Sequence, residues 1–463
     1  MAGKKIQAQL TPEEKLQQAL VTEDEQPYKV PANWCWTKLG SISLIKGGKR
    51  LPPGKKLNDI KTGYPYIRVT DFDSNSVDVN NIKYIDEETY KILDNYKISI
   101  NDIYISIAGS IGKVGIIPEI LNGAILTENA AKITNIILQN QIYLLYILCS
   151  EFCQNQMKES AIATTQSKLA LFRIANIKLP LPPLAEQQRI VERIESLFTK
   201  LDEAKENLQN VLDSFETRKA AILHKAFTGE LTANWRKQHG VSMESWESVK
   251  VSNFCENIVC GKTPTSYIDN NGDIPYLKVY NIVNNKIDFD SKPQYIPKKI
   301  HESKLKSSIL KPKDVIMNIV GPPLRKIAII PDTYPEWNMN QAIVRFRTKE
   351  KLYYKYLYYY LIYPKTLDDI ICETKGVVGQ ANISITQSRN LNINLPTFSE
   401  QTEIVRIIDE LFVKEQQAKE LAENALAKIE IIKKAILARA FCAELGTNNP
   451  ADEPAVELLK RVL

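Results

Sequence analysis

Two stretches of this chain, about 214 residues apart, are versions of one another, and this duplication restricts the possible folds more than any single motif does. The first runs from Pro182 to Leu231 and the second from Phe398 to Leu445. Glu186-Gln187 matches Glu400-Gln401, Leu197-Phe198 matches Leu411-Phe412, and Ala226-Phe227-x-x-Glu230-Leu231 matches Ala440-Phe441-x-x-Glu444-Leu445. Apolar residues recur through both at heptad spacing, which predicts two long helices, each with an apolar seam. The first seam is Ile190, Ile194, Leu197, Leu201, Ala204, Leu208, Val211, Phe215 and Ile222, interrupted at Arg218. The second is Ile404, Ile408, Leu411, Ala418, Ala422, Ala425, Ile429, Ile432 and Ile436, with Glu415 within it. The small residues in the middle of the second seam suit close approach by Leu208, Val211 and Phe215 of the first. Each helix would reach about 65 Å at 1.5 Å per residue. Each could be an amphipathic surface helix of its own domain, but two matched copies of this length favour mutual pairing.

The segments between the helices repeat as well. Trp36 is matched with Trp246, Gly48-Lys49 with Gly261-Lys262, and Pro65-Tyr66-Ile67-Arg68-Val69 with Pro275-Tyr276-Leu277-Lys278-Val279. Asp102 through Gly109 corresponds to Asp314 through Gly321, and Lys113 through Pro118 to Lys326 through Pro331. Asn129-Ala130 is set against Gln341-Ala342, Tyr143-Leu144 against Tyr356-Leu357, and Gln166 against Gln380. Runs of β-formers at 64–69 and 102–107 predict strands, and Tyr143–Leu148 predicts a helix. One globular-plus-helix unit is therefore used twice, in an α+β architecture of two mixed α/β domains separated by two long helices. Because the first helix leads from one domain to the other, a pairing second helix must run back. The expected result is an antiparallel coiled coil with internal pseudo-two-fold symmetry. That arrangement brings the two chain ends together. Thr11-Pro12-Glu13-Glu14 opens a short amino-terminal helix with a capping box, and Val456, Leu458, Leu459 and Val462 suit a short helix or a frayed tail at the other end.

Composition narrows the function classes. A chain of 463 residues that is 44% hydrophobic and 25% charged has ordinary globular character, and no apolar run approaches the ~20 residues that span a bilayer. Seven cysteines, an odd number without zinc-ligand spacing, point to a reduced, cytoplasmic setting. The net charge of +6 is compatible with nucleic acid but does not demand it. Gly261-Lys262-Thr263 lacks the upstream glycine of a phosphate-binding loop, and Gly109 to Gly115 reads better as a turn. His224, His239 and His301 are unclustered, and no Asn/Asp-Pro-Pro-aromatic tetrapeptide occurs. Neither a catalytic site nor a metal or cofactor site is expected in this chain.

What the globular segments offer instead is basic and amide side chains at matched positions. Lys46, Lys49, Arg50, Lys55 and Lys56 lie in a Gly/Pro-rich turn, and Lys262, Thr263 and Thr265 lie in its counterpart. Arg68 and Lys278, Lys113 and Lys326 with Arg325, and Gln166 and Gln380 complete the candidates. Arg and Lys neutralise phosphates or read guanine, and Gln reads adenine. Any one such lysine also suits a solvated turn, and the two glutamines also suit loop hydrogen bonding.

The Pro-Leu-x-Glu-Gln-x-x-Ile-Val-x-x-Ile opening at Pro183 to Ile194, its second copy around Glu400-Gln401 and the Ala-Phe-x-x-Glu-Leu closings together resemble the specificity subunits of type I restriction-modification systems. The second copy departs modestly, with Pro396-Thr397-Phe398 in place of Pro182-Pro183-Leu184 and Ala443 in place of Gly229. The resemblance implies target recognition domains at 30–181 and 245–396, conserved helices at 182–231 and 397–445, and a linker at 232–244. It leaves an appendage at 1–29 and a tail at 446–463. It further implies a non-catalytic chain that binds double-stranded DNA, each domain reading half of a bipartite target across a gap set by the helices. Modification subunits carrying S-adenosylmethionine would dock on the helices, and restriction subunits would use ATP and Mg²⁺. The competing reading is a coiled-coil scaffold whose duplicated domains bind proteins or glycans.

Overall fold

The computed structural model describes residues 11–137, 140–162, 168–264, 273–321, 323–374, 382–461 and 463. The chain divides into two units, the first made of residues 1–207 and 424–463 and the second of residues 208–423. In the first, the strands Lys83–Tyr84, Pro65–Ile67, Ala124–Leu126 and Lys97–Ile98 form one four-stranded sheet in that order. Leu44–Gly47, Ala130–Thr134, Ile103–Ser106 and Val114–Ile116 form another. The second unit repeats both. Its strands Tyr295–Ile296, Ile274–Leu277, Trp337–Met339 and Ile309–Leu310 make one sheet, and Val259–Cys260, Ile343–Phe346, Val315–Asn318 and Ile327–Ile329 the other. The single parallel pairing of each first sheet also recurs, with Tyr66 opposite Ile125 and Tyr276 opposite Asn338. Each unit has a two-residue hairpin, at Ser74-Asn75 and at Asn284-Asn285, whose positive φ angles (47° and 63°, 48° and 58°) match the right-handed twist of paired strands.

The predicted elements appear with small changes of extent. Gln141–Cys149 is helical, and the Asn140 side chain caps it by accepting from the Ile142 and Tyr143 amides. Pro12–Ala19 is the amino-terminal helix, with its capping box between Thr11 and Glu14. The carboxy-terminal segment forms the helix Ala455–Lys460, and Leu16 packs into the cluster that holds Ala455 and Leu459, so the chain ends do meet in the first unit. Val462 lies outside the described residues. The segment 232–244, expected as a linker, contains the helix Ala233–His239.

The two long helices differ from each other. The second is continuous over Phe398–Phe441, whereas the first is divided into Leu184–Asp213 and Phe215–Phe227. At the break, the Ser214 hydroxyl donates to the Val211 carbonyl at 2.7 Å, and Arg218 reaches the same carbonyl and the Ser214 hydroxyl. Side chains that compete for backbone carbonyls bend helices in this way. In the first unit, Asp202 pairs with Lys433 at 2.6 Å and Lys205 with Glu430 at 3.7 Å, so the segments around them run in opposite directions. In the second unit, Arg218 pairs with Glu415 at 2.9 Å, which satisfies the two charged residues that interrupt the heptads. The seams are buried at Ile190, Ile194, Phe215, Ile404, Ile408, Ala422 and Ile429, and half-buried at Leu197, Leu201, Leu208, Ile222, Leu411, Ala425 and Ile436. Val211, Ala418 and Ile432 are exposed, as is Ala204, whereas Leu223 and Leu437 are buried. A straight heptad count drifts against the 3.6-residue turn, and the break at Ser214 adds to the drift.

Candidate nucleic-acid interface

The duplicated motif residues are occupied inside the protein. Glu186 is buried, and its carboxylate accepts from the Trp34 indole at 2.8 Å and the Thr447 hydroxyl at 3.3 Å. Its counterpart Glu400 accepts from the Trp246 indole at 3.0 Å, the Thr232 hydroxyl at 2.7 Å and the Arg236 guanidinium at 2.6 Å. The residue equivalent to Trp246 is therefore Trp34, not Trp36; the strand ladders agree, since Cys35 faces Leu181 as Glu247 faces Leu395. Gln187 accepts from the Asn140 amide and donates to the Pro182 carbonyl, and Gln401 does the same with Tyr353 and Pro396. Phe441 meets the Tyr143 ring edge-on at 5.6 Å, and Phe227 meets Tyr356 at 5.4 Å and Tyr360 at 5.0 Å. These residues anchor the helix ends to the globular part of each unit, which explains their spacing without any role in recognition.

Several sequence candidates are likewise engaged. Arg68 forks onto Asp71 and reaches the Asn81 carbonyl. Lys55 pairs with Asp86 and Glu88, and Arg325 with Asp368. The ammonium groups of Lys113 and Lys326 donate to the Phe72 and Val279 carbonyls at 3.3 and 3.4 Å. Lys278 is half-buried, with its ammonium 6.0 Å from the centre of the Tyr280 ring. Gln166, Thr265 and Gln380 lie outside the described residues. Lys46, Lys49, Arg50, Lys56, Lys262 and Thr263 are exposed.

Four of these, Lys49, Arg50, Lys262 and Thr263, share one construction, a Gly-Lys corner present in both units. In the first unit, the Gly48 amide donates to the Ala130 carbonyl and the Lys49 amide to the Leu126 carbonyl, both at 2.9 Å. In the second, Gly261 and Lys262 donate to the Ile343 and Met339 carbonyls at 3.0 and 3.2 Å. The hydroxyls of the buried Tyr66 and Tyr276 hold the Lys49 and Lys262 carbonyls at 2.9 and 2.8 Å. Glycine is required because a Cβ at either position would lie 2.1 Å from a backbone oxygen. Replacing Gly48 by alanine should therefore cost about 1–3 kcal/mol, read as a lower urea midpoint. An unchanged midpoint would mean that the corner yields freely.

Beyond the corner the units diverge. The Arg50 Nε donates to Glu128 Oε1 at 2.7 Å, and the Thr127 hydroxyl donates to the other carboxylate oxygen at 3.0 Å. In the second unit, the Thr263 hydroxyl donates to Gln341 Oε1 at 2.8 Å. Neither Glu128 nor Gln341 is among the sequence candidates, and the match of Asn129 with Gln341 is one residue out of step. The ladder equates Ala130 with Ile343, and hence Glu128 with Gln341. The constant register from Lys113/Lys326 to Tyr143/Tyr356 was the available signal.

No helix among the described residues is long and apolar enough to cross a membrane, and none of those residues form a group of three or more His, Cys, Asp or Glu side chains able to hold a metal ion. Comparison with known proteins gives a consistent result. The chain is 32% identical over 216 residues to the type I restriction enzyme EcoBI specificity subunit of Escherichia coli, a match covering 47% of this chain and 46% of that one. It is 22% identical to the EcoKI specificity subunit of E. coli strain K12, with 92% of both chains covered. In fold it is similar to the crystal structure of the HsdS subunit from Thermoanaerobacter tengcongensis, at a TM-score of 0.63 and 20% identity, with 91% of this chain and all of that one covered. The family model for the type I restriction modification DNA specificity domain matches twice, over residues 31–213 and 243–425, and the chain therefore belongs to that family.

Proposed function

We propose that this chain is the non-catalytic DNA-recognition subunit of a type I restriction-modification complex, acting in a prokaryotic cytoplasm. The observation that carries this reading is the pair of units with one strand order and one Gly-Lys corner, carrying different side chains beside it. A shared scaffold with divergent exposed groups suits two readers of different half-sites in double-stranded DNA. Residues 30–181 and 245–396 would be the recognition domains. The helices would pair as an antiparallel coiled coil and set the gap; the ion pairs of Asp202 with Lys433 and Arg218 with Glu415 support that reading. Modification subunits docked on the helices would supply S-adenosylmethionine and methylate an adenine in each half after flipping it out, and restriction subunits would supply ATP-driven, Mg²⁺-dependent cleavage. Two linked readers gain affinity through effective concentration and demand a fixed spacing.

Exchange of residues 30–181 for the corresponding domain of another family member tests this. One half of the recognised sequence should change while the other half and the gap remain. A change in both halves would contradict independent reading by the two domains.

A further inference from the structure

The Gly-Lys corner carries an inference that rests on the DNA-recognition reading and sharpens it. Arg50 is 80% exposed in its side chain, yet its guanidinium is oriented, because Glu128 takes the Nε hydrogen and is itself held by the Thr127 hydroxyl. Neither Nη atom of Arg50 has a protein partner among the described residues. A guanidinium fixed through Nε presents its two Nη groups as a planar pair of donors, the arrangement that meets O6 and N7 of guanine in the major groove. At the matched place in the second unit, the exposed Gln341 has its amide plane set by the Thr263 hydroxyl. Its amide nitrogen is left to donate to N7 of adenine, and the second lone pair of Oε1 to accept from N6. Both groups stand next to a corner whose backbone cannot drift, since each glycine is closed in by backbone oxygens and each lysine carbonyl is tied to a buried tyrosine. A longer loop without such ties would leave a similar arginine free to neutralise any phosphate.

We infer that this corner is the base-reading element of each unit, Arg50 recognising a guanine in one half-site and Gln341 an adenine in the other. Glu128 is a positioning residue, acting through Arg50. Because the corner is common to both units, the side-chain pair beside it is exchangeable, and the identity of that pair sets the base.

The test is selection from a randomised double-stranded DNA pool by the full chain co-expressed with a type I modification subunit, followed by sequencing. Wild-type protein should enrich a split sequence with a guanine in one half and an adenine in the other. Arg50→Ala should flatten the preference at that one guanine by roughly tenfold or more, with the remaining positions kept. Glu128→Gln should relax the same position and leave the thermal midpoint unchanged, which a merely structural role would not do. The double variant R50T/E128Q, which copies the second unit's pair, should move that position toward adenine, and Gln341→Ala should relax one adenine in the other half. An unaltered sequence preference in Arg50→Ala and Gln341→Ala would overturn the inference. So would a uniform loss of affinity across all sequences with a shallower salt dependence, the behaviour of a phosphate contact. A wild-type chain that enriches no split sequence would instead overturn the DNA-recognition reading beneath it.

Discussion

Replacement of Glu400 by glutamine should destabilise the second unit by about 3–5 kcal/mol, because it leaves the buried Arg236 guanidinium without a counter-charge. Arg236 also holds the Gly229 carbonyl and the Thr232 hydroxyl, so the turn after the helix Phe215–Phe227 would loosen with it. The equivalent change at Glu186 should cost about 1 kcal/mol or less, since among the described residues no guanidinium hydrogen-bonds this carboxylate and a glutamine oxygen can still accept from the Trp34 indole. Burial raises the Glu186 pKa above its ordinary 4.5, against the opposing hydrogen bonds from Trp34 and Thr447. The native state therefore holds this proton more tightly than the unfolded chain does. Its contribution to stability grows as the pH falls through the folded pKa toward 4.5 and is lost as the pH rises through the folded pKa. Urea titrations at pH 7 and pH 5 should accordingly show wild type gaining on Glu186→Gln at the lower pH. Equal costs for the two substitutions at pH 7 would contradict the assigned difference between the two anchors.

Truncation of Phe227 to alanine should cost about 3–5 kcal/mol. Its ring fills a pocket formed by Tyr356, Tyr360 and Tyr363, with centroids 5.4, 5.0 and 5.6 Å away, and Leu223 and Ala226 join the same core. Tyr356 and Tyr360 stand on the helix Tyr354–Ile362 and Tyr363 is its C-cap, so one element lines the pocket. Hydrogen exchange should report the loss in the strands Val315–Asn318 and Ile343–Phe346, which share that core. Unchanged protection there would mean that Phe227 only rests on the surface of the unit.

The duplication, both long helices, the early helix after Thr11 and the helix at Gln141–Cys149 were legible because each rests on a local pattern, either heptad spacing, a capping box or a continuous apolar run. The break at Ser214 was not, since Ser and Arg at these spacings are ordinary helix-surface residues until a carbonyl is taken. The pairing of Trp34 rather than Trp36 with Trp246 rests on which indole reaches the buried carboxylate: Trp34, just before the strand Cys35–Lys38, donates to Glu186, whereas the Trp36 indole donates to the Tyr28 carbonyl, and spacing alone does not separate two tryptophans two residues apart. In the candidate site, the Gly-Lys corners stood out as matched dipeptides. Their partners did not, because Glu128 and Gln341 are 78 residues further along the chain and reach the corner only through sheet pairing. Arg68 and Arg325 looked like free basic residues and are tied to Asp71 and Asp368, contacts that composition cannot reveal.

The most direct measurement of the central claim is a genome-wide map of methylated adenines in cells expressing this chain with a candidate type I modification subunit, compared with cells lacking the chain. A split motif of two unlike halves at one fixed gap, present only with the chain, is the expected result. The absence of any chain-dependent motif, with the modification subunit expressed and folded, would contradict the account of this protein as a two-part DNA reader.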